Sequence, residues 1–147
     1  MFKEGGPHGE RVIMYHDNAN IAFDGTMNYG IKTGKGKSFW PNGEIMFEGL
    51  FENDGPDDAG DSVIIKFPNG KTLYQGRMES GVRTGQGRTY FKNGALEYDG
   101  IWLNNMPDGD DCIIYNKNGK VVYQGRLVRG VAYQDDQVIY EYGKVKN

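Results

Sequence analysis

Apolar and polar residues alternate along most of this chain, in runs of five to nine residues broken by glycine. In "EIMFEGLF" (44–51), Ile45, Phe47, Gly49 and Phe51 fall on one side of an extended strand, and Glu44, Met46, Glu48 and Leu50 on the other. A period of two marks half-buried β-strands, and no stretch carries the 3.6-residue period of a helix. Each apolar run ends on a turn signal. Asn-Gly stands at 42–43, 69–70, 93–94 and 118–119. Between two β-rich runs it predicts a hairpin through a type I′ turn, in which both central residues need φ > 0.

The runs repeat. An aromatic-x-Gly triplet opens a strand at 23, 47, 74, 98 and 123, in steps of 24, 27, 24 and 25 residues. A glycine follows five places after the triplet's own at Gly30, Gly81 and Gly130, and a second strand follows, such as "GKGKSFW" (34–40) or "GQGRTYF" (85–91). The middle residue of the triplet is always polar: Asp24, Glu48, Gln75, Asp99, Gln124. The aromatic and the glycine therefore share one face. The glycine reads as a space-maker, letting a neighbouring repeat's ring lie flat on the backbone. A fixed period of this length means stacked units, because one hairpin cannot bury its apolar face alone and a row of them can. Two strands per unit would advance the stack by roughly 10 Å.

The expectation is an all-β fold: a single-layer, elongated stack of antiparallel β-hairpins, about five to six units in one domain spanning 1–147. The partial unit is 1–22, since "MFKEGGPHGERVIMYHDNA" (1–19) aligns with "LFENDGPDDAGDSVIIKFPNG" (50–70) and lacks the triplet. The chain reads as an array close to complete, with the polar "GKVKN" (143–147) shielding the last edge; the alternative is a piece of a longer array.

Composition agrees. Glycine makes up 23 of 147 residues, about 16% against roughly 7% in an average protein, and there are 10 tyrosines and 7 phenylalanines. The net charge of −3 argues against nucleic acid and against an anionic membrane. One cysteine, Cys112, excludes an internal disulfide and makes a reducing compartment the default. No apolar run approaches the roughly 20 residues needed to span a bilayer, and the N-terminus has no apolar core of a signal peptide.

"YQGRMESGVRTGQGRTYFKNG" (74–94) resembles the MORN repeat, and "FDGTMNYGIKTGKGKSFWPNG" (23–43) is nearly as close. The Asn-Gly-Lys ending is similar to a variant found in many bacterial proteins. Two units depart from the pattern. An insertion lengthens the turn in 47–67, where Asp61 stands at the end of the expected Gly-x-Gly. In 98–115, Met106 and Asp111 take the glycine places. The resemblance implies a hairpin stack with protein partners, often at cytoskeletal or membrane-apposed assemblies.

No catalytic constellation is expected. Cys112 has no histidine near it in sequence, and His8 and His16 lack a carboxylate at a metal-like spacing, so they read as surface histidines. The acidic turns "NDGPDDAGD" (53–61) and "PDGDD" (107–111) do not fit a twelve-residue calcium loop and read as solvated turns that oppose aggregation. No metal or cofactor is predicted. Gly-x-Gly is no phosphate loop here, since no helix follows it.

A slower rhythm overlies the period. Turns with Lys32, Lys35, Arg83 and Arg88 alternate with turns carrying Asp57, Asp58, Asp110 and Asp111. Charge pairing between neighbouring turns is the expected structural role, and docking of a complementary partner the functional one.

The expected function is a non-catalytic protein–protein interaction scaffold, taking a peptide or helix along an aromatic-lined face. Its candidate contacts are Phe23, Trp40, Phe47, Glu48, Tyr74, Gln75, Tyr98, Asp99, Tyr123 and Gln124. The alternatives are an immunity-like binder of a toxin enzyme and, further off, a membrane-surface module for phosphoinositides. A cytoplasmic setting follows from the cysteine usage, and an end-to-end homodimer from the exposed terminal hairpins.

Overall fold

The computed structural model describes residues 8–58 and 60–142, the side chains of residues 8–10 excepted. The expected tail 143–147, the first residues of the partial unit and the His8 side chain lie outside the described residues.

Every described element is a strand. They are β1 (His8–Tyr15), β2 (Ile21–Asn28), β3 (Ile31–Phe39), β4 (Ile45–Glu52), β5 (Gly55–Asp57), β6 (Val63–Lys66) and β7 (Thr72–Glu79). There follow β8 (Val82–Tyr90), β9 (Leu96–Leu103), β10 (Met106–Pro107), β11 (Gly109–Tyr115), β12 (Val121–Leu127), β13 (Val131–Gln134) and β14 (Gln137–Glu141). One open antiparallel sheet runs in chain order, β1-β2-β3-β4-β6-β7-β8-β9-β11-β12, with the short β5 on β4 and β10 on β9. The strand after the fifth triplet leaves this sheet: β13 pairs with β14 as a separate two-stranded hairpin, and is joined to the chain just past β12 by a single Val128–Val131 bridge.

The type I′ turns are not at the Asn-Gly pairs, where the sequence placed them. The type I′ turns are the ones that follow the triplet strands. Both central residues have positive φ at Tyr29-Gly30, Asn53-Asp54, Ser80-Gly81, Asn104-Asn105 and Arg129-Gly130. The Asn-Gly turns are not type I′, because only their glycine has positive φ, as Gly43 at 92°. Gly43 N–H donates to Trp40 O (2.9 Å) and Trp40 N–H to Glu44 O (2.8 Å). That is a type I turn followed by a left-handed glycine, the usual three-residue hairpin loop. Asn18-Ala19 closes the first hairpin in the same way, with Ala19 at φ 72°.

Register explains the glycines. Gly25, Gly36 and Gly49 lie opposite one another across β2, β3 and β4, as do Gly76, Gly87 and Gly100 across β7, β8 and β9. Each triplet's aromatic ring folds back over this row within its own unit, not over a neighbour's as the sequence suggested. A Cβ on Gly87 would sit 2.3 Å from the Tyr74 hydroxyl, and one on Gly100 2.6 Å from that of Tyr98. Gly-x-Gly lies within β3 and β8, not in a turn. Its first glycine, Gly34 or Gly85, takes positive φ at a bulge, and its second is the floor under the ring. In the two departing units this floor position belongs to Val63, opposite Gly76, and to Cys112, opposite Gly125. Asp61 and Asp111 do not stand there.

Four residues beyond each ring a second inward row runs Met27, Phe51, Met78, Trp102, Leu127. Phe51 stands edge-on to Phe23 and Phe47, with centroids 5.2 Å apart in both cases. Trp102 does the same between Tyr74 (5.9 Å) and Tyr98 (5.2 Å). The core is therefore two aromatic clusters on one face of the sheet, each spanning two units.

Candidate functional site

The sheet offers an inner face, an outer face and two long edges of turns. Phe23, Phe47, Tyr74 and Tyr98 line the inner face and are buried, between 0 and 3% exposed. A partner cannot touch them. They are the core, and their removal from the candidate docking set follows from their packing. Tyr74 and Tyr98 also anchor their own strand: each hydroxyl donates to the carbonyl three residues on, Arg77 O and Ile101 O, at 2.7 Å. Burial pushes the Tyr74 phenol up to about 12. Burial, and then Cys112 with its Sγ 3.0 Å away, pushes Tyr98 up further. Cys112 is itself fully buried beneath that hydroxyl, as expected of a structural cysteine.

Tyr123 is different. It is half-buried, and its ring stacks on Tyr140 at 6.4 Å with the planes 7° apart. Tyr142 stands edge-on to Trp102 at 5.6 Å. The departed hairpin β13–β14 therefore folds over the inner face and lays Tyr140 and Tyr142 on the second aromatic cluster. A signal was present in the sequence, the Tyr-x-Tyr of 140–142, but it reads equally well as an ordinary strand. Beneath this cover Glu97 is half-buried; burial raises its pKa, while a Thr89 hydrogen bond and, less strongly, the Arg83 charge oppose the shift. The cover shows in matched positions: Ile114 is buried, whereas Ile65 at the same register place is half-buried.

The outer face carries the triplet's polar residues, opposed by basic ones. Asp24 makes a two-point bond to Arg11 (2.8 Å each), Glu48 lies 3.9 Å from Lys37, and Asp99 lies 3.3 Å from Arg88. The Arg11 hydrogen bond, ahead of its charge, holds Asp24 below the usual carboxylate range. Gln75 and Gln124 are exposed and face Ile64 and Ile113. These pairs are solvent-screened and contribute little to stability.

Neighbouring turns are tied at both edges, but by main-chain bonds and not by the ion pairs expected there. On one edge Lys32 N–H donates to Asp54 Oδ1 (2.7 Å) and Arg83 N–H to Asn105 Oδ1 (2.8 Å). Ser80 N–H donates to Asp57 Oδ2 at 3.1 Å. The cationic heads turn inward: Lys32 lies 5.1 Å from the Phe23 centroid, and Arg83 5.0 and 4.9 Å from Tyr74 and Trp102. Asp58 is buried and accepts from Arg77 Nε (2.9 Å), Met78 N (2.8 Å) and Gly60 N (2.6 Å). Burial works against its charge, but the Arg77 and amide bonds outweigh it and hold the pKa low. Asp110 lies 3.7 Å from Arg126 at the surface, and Lys35 and Asp111 are exposed.

On the other edge the asparagines of the Asn-Gly turns form a ladder. Asn18 donates to Pro41 O (2.8 Å), Asn42 to Pro68 O (2.9 Å), Asn69 to Lys92 O (2.9 Å) and Asn93 to Lys117 O (3.2 Å). Trp40, half-buried beside it, donates Nε1–H to Lys66 O at 2.8 Å; His16 holds the matching place, its Nε2 2.9 Å from Phe39 O. Among the described residues no group of three or more His, Cys, Asp or Glu could hold a metal ion.

No curated protein matches the chain. The MORN repeat model matches residues 23–45, 74–96 and 98–109, each of which holds the ring, the triplet glycine and the inner-row residue just described. Those three segments are similar to the MORN repeat, and the similarity covers the hairpins described above.

Proposed function

We propose that the chain is a non-catalytic scaffold that seats an apolar segment of a partner protein, a peptide or a helix, on the open part of its inner face. The observation that supports this is the seat of β13–β14. Over β9 and β12 the face already holds a protein segment through two aromatic side chains. Over β2 to β6 the same surface presents Met27 and Ile65, half-buried apolar residues packed on the aromatic core. The outer face carries the cross-strand ion pairs, with exposed Ile64, Ile101 and Leu103 scattered singly among them rather than gathered over a buried cluster.

The test is affinity capture from the source cells with the intact chain and with a Met27→Asp/Ile65→Asp variant, after circular dichroism shows both folded. A protein captured by the former and lost by the latter is the expected result. If every captured protein is retained by the variant, the open inner face is not the docking surface.

A further inference from the structure

The two ends of the sheet are complementary to each other. The other triplet-bearing strands, β2, β4, β7 and β9, each have a strand on both sides. Among the described residues β12 is paired only with β11, because β13 departs, and β1 is paired only with β2. Both ends also expose large apolar residues. Ile13, Met14 and Tyr15 stand on β1, and Val121 and Val122 on β12, with Tyr15 63% and Val122 55% exposed. A bare edge strand with exposed apolar side chains is a template for another strand.

Direction and register fit a second copy. The paired strands alternate in direction, so the place beyond β12 calls for a strand oriented like β1. Within a unit the ring lies opposite Ser38 or Thr89, and the triplet glycine opposite Gly36 or Gly87. In β1 the matching places are Met14 and Val12, read from their pairing with Phe23 and Gly25. Laid against β12, the β1 strand of another copy would put Met14 opposite Tyr123, Ile13 opposite Gln124 and Val12 opposite Gly125. The last two pairings already occur inside the sheet in kind: Gln124 faces Ile113, and Gly76 faces Val63. The asparagine ladder carries the same polarity. Each asparagine donates to the carbonyl preceding the next one. Among the described residues Asn118 at the far end has no such acceptor, and the Asp17 carbonyl at the near end no such donor.

We infer that the chain associates head to tail, the β12 edge of one copy pairing with the β1 edge of the next so that sheet and ladder continue across the junction. A heterologous contact of this kind does not close on itself and gives open-ended oligomers, unlike a two-fold dimer of β12 edges. It is independent of what binds the inner face.

The test is sedimentation velocity on the full chain over a range of concentrations, with two edge variants. Ile13→Lys/Met14→Lys blocks the β1 edge, and Val122→Lys/Gln124→Lys blocks the β12 edge. All four positions are exposed, so both variants should keep the fold, checked by circular dichroism. If either unfolds, Tyr15→Lys or Val121→Lys replaces it. The expected result is a wild-type mass that keeps rising with concentration, each variant monomeric alone, and a 1:1 mixture with the mass of two chains and no more. A monomeric wild type at millimolar concentration overturns the proposal. So does a β1-edge variant that still dimerises alone, or a mixture that stays monomeric.

Discussion

Gly87 shows how one missing side chain organises a repeat. A Cβ there would fall 2.3 Å from the Tyr74 hydroxyl and 2.8 Å from two ring carbons of a side chain that is fully buried and tethered to Arg77 O. The ring cannot retreat without losing that bond, so Gly87→Ala is expected to destabilise the fold by about 1–3 kcal/mol in denaturant titration. Gly119→Asn, at a left-handed position with open space around it, should cost a few tenths at most. Asp58 is a second test at this scale. Asp58→Ala removes the acceptor for two backbone amides and Arg77, at a cost of about 1–3 kcal/mol near neutral pH. Its folded pKa is held low, so its contribution is present above the ordinary aspartate range and is lost as pH falls through the folded value. Wild type and Asp58→Asn should converge in stability on acidification. Glu97 carries the opposite sign. Its pKa is raised by burial, so its charged form weakens the fold once pH rises past the folded value. Glu97→Gln should melt higher than wild type at pH 7, with the gap closing below about pH 4.

At the scale of the hairpin, much of the architecture is legible in the sequence and its turn chemistry is not. The ring, the triplet glycine and the polar middle residue alternate with period two, so their faces follow from strand geometry alone. The Asn-Gly pair is ambiguous, because it suits both a type I′ turn and a type I turn followed by a left-handed glycine. The choice is made by the bulge that precedes each ring, where Ser38 meets Phe47 and Phe39 meets Ile45, skipping Met46. Such a slip leaves little mark on a hydrophobic pattern. The asparagine side chains show why the pair recurs: Asn42 accepts from Glu44 N–H at 3.0 Å within its own turn and donates to Pro68 O in the next. Replacing Asn69 with alanine breaks the corresponding two bonds at once. Measured by denaturant titration, it should cost about 1–2 kcal/mol despite the site's exposure, whereas Asn118→Ala, which makes no onward bond among the described residues, should cost less.

Across the whole molecule the stack is quasi-one-dimensional, since each unit touches mainly its neighbours, and local stability then follows local burial. The two halves repeat each other's plan: Phe51 and Trp102 centre the two clusters, and Lys32 and Arg83 overlie them. They differ in cover. The second half carries β13–β14, a fully buried tryptophan and hydroxyl tethers at Tyr74 and Tyr98 that Phe23 and Phe47 cannot make. The departure of β13 from the sheet lies beyond the reach of periodicity, because "VAYQDDQVIYEY" reads as two short apolar runs about a polar turn, like any other strand pair of the chain. What redirects it is a second tight turn only five residues after the first, with positive φ at Asp135 and Asp136. Native-state hydrogen exchange should therefore show β8, β9 and β11 opening last, and β2, β3 and β4 earlier. Tyr140→Ala/Tyr142→Ala removes the cover without touching the sheet. It should bring the two halves closer in protection, by accelerating exchange in β9 and β11 and leaving β2 to β4 unchanged. Equal acceleration in both halves would mean that the stack unfolds as one cooperative unit and that the hairpin stabilises all of it.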